Sequence, residues 1–212
     1  MSDTTDYNAG VSNWNERYDS NDYVYGEEAN LFIQKASHYI KEKSKLAAYA
    51  EGEGRNAVFL AKQGHIVSAY DYSQAGLRKT EALASKKGVQ VQTIQADLIH
   101  DELPIETYNA AVMVFGHFPR KDQYNVLEKI LRSLKDGGKL LLEVYEEEQI
   151  KYGTGGPKDQ SWLYNANELL AWSKHYRLKH FFTGEVERIE GVFHQGRCSV
   201  IQLILEKVVE DN

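Results

Sequence analysis

Short apolar runs alternate with amphipathic stretches along most of this chain. Leu46 to Ala50, Ile66 to Tyr70, Val89 to Ile94, Tyr108 to Phe115 and Lys139 to Tyr145 have strand length and apolar or partly alternating character. The fourth is nearly continuous and reads as a buried parallel strand. Between them lie segments of helical period: Arg55 to Gln63 ending at Gly64, Ser73 to Lys86 closed by Gly88, and Pro119 to Leu134 stopped by Asp136-Gly137-Gly138. Pro119 suits the first helical position, where the missing N–H has no partner to lose. Ahead of the first strand, Leu31, Phe32, Ala36 and Ile40 recur at helical spacing and predict an amphipathic helix over Glu27 to Lys43. After the fifth strand come a long polar loop, Glu146 to Leu163, a short helix, Asn167 to Ser173, and two closing strands, Arg177 to Ile189 and Phe193 to Lys207. Strand alternating with helix predicts an α/β fold around a parallel sheet, without internal repeats.

The chemistry concentrates in the turn after the first strand, Ala50-Glu51-Gly52-Glu53-Gly54-Arg55-Asn56-Ala57. A sharp strand-to-helix turn needs unusual backbone angles, and a ligand can approach main chain only where no Cβ intrudes. The second strand ends in Asp71, about twenty residues past the first glycine, where a nucleotide-binding α/β fold sets the carboxylate that takes ribose hydroxyls. Ser73 can cap the next helix, which leaves Asp71 for a ligand. Gly52, Gly54 and Ala57 satisfy the dinucleotide spacing G-x-G-x-x-G/A, so spacing does not exclude NAD. Glu51 and Glu53, however, place two carboxylates where a pyrophosphate would lie. S-adenosylmethionine, which has no phosphate and carries a sulfonium and an ammonium group, suits an acidic turn better.

The segment Leu46 to Ser73, with AEGEGRNA followed by AYDYS, resembles the cofactor-binding half of the class I S-adenosylmethionine-dependent methyltransferases, in particular the small branch related to tellurite-resistance and thiol methyltransferases. That superfamily more commonly has glycine at the place of Ala50 and an acid at the place of Ala48; Glu51 is the stand-in for holding the cofactor's amino group. The resemblance implies a Rossmann-like, doubly wound seven-stranded sheet, mostly parallel, with an antiparallel C-terminal hairpin strand and helices on both faces. It implies one methyltransferase domain over residues 1–212, with a flexible start at 1–13, a lid and helix at 14–44 and the core at 45–212. In this branch a segment like WNERY…YVYG folds over the cofactor, which brings Tyr25 nearest the ligand. Cofactor contacts are expected from Tyr25, Ala50, Glu51, Gly52, Gly54, Asn56, Asp71, Tyr72, Ser73, Ala96, Asp97, Leu98, Val114 and Phe115. Asp97 is the partner for the adenine amino group and Leu98 the cover for its ring. The chain lacks the Asp/Asn-Pro-Pro-aromatic motif of enzymes that methylate nucleic-acid bases and has Gly116-His117-Phe118-Pro119 after the fourth strand.

Candidates for acceptor contacts and catalysis are His117 after the fourth strand, and His194 with Arg197 before the last. If the acceptor is a thiol, a strong base is hardly needed; if it is an oxyanion of tellurium or selenium, positive charge should help to bind it. A net charge of −6 and a pI near 5.7 argue against a nucleic-acid or anionic-membrane partner. The polar start has no apolar leader core, and no run approaches membrane-span length, so a soluble, cytoplasmic monomer or homodimer is expected. Cys198 is the only cysteine and lies in an apolar run, which fits a buried strand residue in a reducing compartment. Seven scattered histidines point to no metal site. Two alternatives stay open beside a small-molecule methyltransferase: an NAD(P)-dependent oxidoreductase, and a non-catalytic S-adenosylmethionine-binding protein.

Overall fold

The computed structural model describes residues 14–19, 22–191 and 194–208; the polar start at 1–13 lies outside them. A helical turn at 14–18 (α1) and a short helix, α2 (Leu31–Ala36), precede β1 (Lys45–Tyr49). The chain then alternates α3 (Arg55–Lys62), β2 (Ile66–Asp71), α4 (Gln74–Lys86) and β3 (Val91–Gln95). It continues through β4 (Tyr108–Val114), α5 (Arg120–Ser133), β5 (Leu134–Tyr145) and α6 (Ala166–Ser173), and ends in the hairpin β6 (Arg177–Glu190) and β7 (His194–Glu206). The seven strands form one sheet in the order β3-β2-β1-β4-β5-β7-β6. β3 to β5 run parallel, and β7 is inserted antiparallel between β5 and β6. The expected seven-stranded topology is therefore present, hairpin included.

Strand alternation divides the apolar residues between two layers. Ala47, Tyr49, Met113, Leu140, Leu142 and Leu203 face α5, whose Val126, Leu127, Ile130 and Leu131 complete one core. Leu46, Ala48, Val67, Val112, Leu141 and Ile204 face the other way, onto Phe32 and Ile33 of α2 and Ala57 and Leu60 of α3. Two-sided burial of β1 and β4 explains why both read as continuous apolar runs.

The differences from the sequence reading have local causes. The helix expected over Glu27 to Lys43 is only Leu31–Ala36 plus a 3-10 turn, Ser37–Tyr39. Asn30 is fully buried, and its side chain accepts from Phe32 N and Ile33 N. Its own backbone N–H goes to Asn56 Oδ1 and its amide to Glu143, so a helix cannot run through it from Glu27. Pro119 is the N-cap rather than the first helical residue. β3 starts two residues late because Val89 N still bonds Ala84 O to close α4. β5 begins at Leu134, since Leu134 pairs with Tyr108 and Lys207 bridges Gly137 and Gly138 across the expected stop. Within the loop 146–163 the chain makes 3-10 turns at Glu147–Lys151 and Gln160–Trp162.

The order of strands reverses direction between β1 and β4, so the crevice beyond their carboxyl ends is the natural ligand site of this topology.

Candidate functional site

A cavity of about 440 Å³ opens at that crevice, within the range of small-molecule pockets. Its floor is the turn after β1. Ala50, Gly52 and Gly54 have φ of 50°, 63° and 90°, three left-handed residues within five. Glycine is required twice: a Cβ on Gly52 would stand 2.6 Å from Tyr18 Oη, and one on Gly54 would stand 2.7 Å from Thr80. Ala50 holds the left-handed conformation without that freedom, at a cost of about 1 kcal/mol.

Both acids of the turn are engaged by main chain. Glu51 Oε1 accepts from Asn56 N and Ala57 N, each at 2.8 Å, so its carboxylate sits on the N-terminal amides of α3. That is where a pyrophosphate would bind in a dinucleotide fold. Glu53 accepts from Val24 N and Tyr25 N at 3.2 Å each and from Lys79 Nζ at 2.8 Å, holding the segment that roofs the cavity. Asp71, at the end of β2, accepts from Gly52 N at 2.8 Å through Oδ2 and from Ser73 N at 2.7 Å through Oδ1. Each oxygen keeps acceptor capacity for a ligand hydroxyl. Ser73 caps α4 as expected, its Oγ accepting from Gly76 N. Burial outweighs these hydrogen bonds: it raises the Glu51 carboxyl to about 7 and the Asp71 carboxyl to about 6.

The roof is aromatic. Trp14 stacks on Tyr18 at 5.6 Å, Tyr25 packs on both at 6.4 Å, and the Arg17 guanidinium lies 4.6 Å over the Trp14 ring while donating to Tyr25 Oη. Asn15 joins this segment to the start of α4 through Ser73 Oγ.

The wall beyond β4 and β5 differs in character. Phe115, left-handed at φ 58°, stacks on Tyr145 at 4.4 Å and carries the buried Arg188 guanidinium 4.7 Å from its centroid. His117 lies near-parallel to Tyr145 at 5.5 Å. Its Nδ1 is 3.1 Å from the Trp162 carbonyl and its Nε2 accepts from Tyr145 N at 3.4 Å. Desolvation lowers the ring to about 4, so it is neutral at physiological pH. Gly116, Phe118, Pro157 and Trp162 complete this side, with exposed Lys158 at the rim.

Of the expected site residues, Tyr25, Ala50, Glu51, Asn56, Asp71, Tyr72, Ala96, Leu98, Val114, Phe115 and His117 all line the one cavity. Gly52, Gly54 and Ser73 lie in its supporting turns. Asp97 does not line it: the carboxylate closes its own turn, accepting from Ile99 N and His100 N and pairing with His100 Nδ1 at 2.6 Å. Arg197 also lies outside the lining, exposed and paired with Glu185 and Glu187. His194 opens β7, and its side chain lies outside the described residues. Sequence reasoning carried Trp14 and Tyr18 only within the lid segment and missed Arg55, Tyr145 and Trp162 as lining residues. The aromatic cluster before β1 was a signal for the first two; a tryptophan inside a polar loop was the only one for Trp162. Among the described residues there is no cluster of His, Cys, Asp and Glu able to hold a metal ion, and no helix long and apolar enough to cross a membrane.

Residues 48–138 match the family described as "Methyltransferase domain". Among solved structures, the chain is similar to an S-adenosylmethionine-dependent methyltransferase from Methanosarcina mazei, at 16% identity and TM-score 0.68, covering 86% of this chain and 100% of that one. It is similar to TehB from Haemophilus influenzae at 15% identity and TM-score 0.69, covering 92% of this chain and 65% of that one. A protein from the conversion of a disulfide bond into a thioacetal group during echinomycin biosynthesis shares the fold at 10% identity and TM-score 0.73, with 97% and 93% covered. No curated protein matches the chain in sequence.

Proposed function

We propose that this chain, whose residues 48–138 match a methyltransferase domain, is an S-adenosylmethionine-dependent methyltransferase that methylates a small, soft nucleophile, a thiol in first place. The observation that carries this reading is the contrast between the two halves of the cavity. The half under β1 to β3 is acidic and polar; the half beyond β4 and β5 is aromatic, with a neutral His117 and no buried cation in its lining among the described residues. Such a wall suits an apolar body bearing a polarisable sulfur and disfavours a hydrated oxyanion.

The residues present fit the cofactor. Asp71 would take the ribose hydroxyls, Ala96 and Leu98 the faces of the adenine, and Glu51 with the turn's backbone the ammonium group. Glu51 on the first amides of α3 leaves no place for a pyrophosphate, which speaks against the NAD reading. Asp97 is assigned to its turn rather than to the adenine amino group. The cofactor supplies an electrophilic methyl group on a cationic sulfur. The protein holds the acceptor in line, excludes water with the aromatic roof and wall, and keeps the acceptor's lone pair aimed at that carbon. Transfer of that methyl group to an acceptor thiolate would give a thioether and leave the cofactor as its neutral sulfide. This reading takes the chain as one cytoplasmic domain, residues 14–44 roofing the core of 45–212.

Lys158 at the rim favours one second reading, a selenium or tellurium oxyanion as acceptor. Calorimetry with S-adenosylmethionine, S-adenosylhomocysteine and NADH, followed by turnover assays with thiols, selenite and tellurite, separates these possibilities. Binding of the first two ligands with thiol methylation is the expected result. NADH binding alone, or cofactor binding with no turnover of any acceptor, would overturn the reading.

A further inference from the structure

The histidine after β4 invites assignment as a base, and the local geometry argues against it. The Trp162 carbonyl can only accept, so the His117 Nδ1 at 3.1 Å carries the proton. The lone pair is then on Nε2, where it accepts from the main-chain N–H of Tyr145 at 3.4 Å. One nitrogen holds the loop that carries Gly156, Pro157 and Trp162; the other holds the end of β5. The rings packed on the imidazole, Tyr145 at 5.5 Å and Tyr164 at 5.9 Å, are themselves kept un-ionised by burial. Tyr164 Oη in turn donates to the Gly116 carbonyl, so the wall is stitched through backbone on both sides of His117.

Among the described residues, no other histidine and no carboxylate lines the half of the cavity beyond β4 and β5. Glu51, Glu53 and Asp71 are on the cofactor half, where Glu51 Oε1 and both oxygens of Glu53 and of Asp71 accept from backbone amides. Burial raises the tyrosines Tyr18, Tyr25 and Tyr145, which makes them weaker acids and keeps them protonated. Arg55 pairs with Glu190, and Arg17 and Lys158 are cations that can only favour an anionic acceptor.

We propose that His117 is a positioning residue, locked as its Nδ1-protonated tautomer between Trp162 and Tyr145, and that methyl transfer uses no protein base: the acceptor loses its proton to solvent and binds as the anion. This rests on the reading of the cavity as a thiol site, and the test keeps the two apart. A glutamine side chain offers one donor and one acceptor but cannot act as a base, so His117→Gln should keep turnover within about threefold while His117→Ala loses about tenfold or more. For the wild-type protein at saturating S-adenosylmethionine, kcat/KM for the thiol against pH with an aryl thiol and an alkyl thiol should show one ascending limb that moves with the thiol's own ionisation. A limb at the same pH with both thiols, absent in His117→Gln, or a glutamine variant as impaired as the alanine one while still folded, would overturn the proposal. If neither thiol is methylated, the thiol reading fails on its own. Amide exchange then still tests the brace. The Tyr145 N–H should exchange faster in His117→Ala than in wild type or His117→Gln, and equal protection in all three would refute it.

Discussion

The two buried carboxyls of the cofactor half carry the clearest pH dependence. Glu51 and Asp71 ionise near 7 and 6 in the ligand-free protein because burial disfavours their charged forms. A cationic cofactor favours the ionised forms. Affinity for S-adenosylmethionine should therefore tighten as pH rises through this window, by about tenfold between pH 5.5 and 8, with protons released on binding at the lower pH. Calorimetry at pH 5.5 in two buffers of different ionisation heat checks this; a flat affinity with no buffer dependence would rule it out. His117 makes stability, too, rise with pH. Its folded value near 4 lies below the ordinary imidazole value of about 6.5. The stability it contributes is full above about 6.5 and fades as pH falls towards 4, a dependence His117→Gln should lack in thermal melts.

At the scale of elements, the roof is held by contacts that no side-chain pattern announces. Glu53 binds the backbone N–H groups of Val24 and Tyr25, Lys79 Nζ adds the Asp22 carbonyl, and Arg55 donates to the Tyr25 carbonyl. Glu53→Ala would leave the N–H groups of Val24 and Tyr25 without their acceptor and Lys79 without its carboxylate, and it should weaken S-adenosylmethionine binding about tenfold. It should also open the segment around residues 22–26 to chymotrypsin. Lys86→Ala, which removes an exposed pair with Glu27, should change neither beyond about twofold. The roof was legible in part: the tyrosines and tryptophan ahead of β1 marked a lid, and the glycine spacing marked the turn beneath it. The carboxylate that joins them was legible only as charge. Glu53 was read for what it would repel, and its use as a backbone clamp depends on a segment nearly thirty residues upstream in sequence. The same blindness lengthened the helix before β1, because Asn30 looks like an ordinary polar position until its buried partners Asn56 and Glu143 are in place.

Across the whole molecule, strand boundaries were the most legible feature, since two-sided burial writes continuous apolar runs that end where the crevice begins. What the runs hid is a charge network inside the sheet. Glu143 is fully buried in β5, where it reads as one polar residue in an apolar strand. It binds Arg188 of β6, 45 residues away, together with Asn30 and Gln202. Arg188 also pairs with Glu190, and Glu190 with Arg55 of α3, so the C-terminal hairpin, the sheet centre and the cofactor helix share one set of ion pairs. Because Arg188 also lies over Phe115, the network supports the cavity wall from behind. Removing one partner of a buried pair strands the other charge, so Glu143→Leu should cost about 3 to 5 kcal/mol and lower the melting temperature by roughly 10 °C. Adding Arg188→Met should recover much of that loss, because the stranded charge disappears with it. A double variant no more stable than Glu143→Leu alone would mean that the penalty arises from Asn30 and Gln202, and that the ion pair is not what ties the hairpin to the cofactor turn.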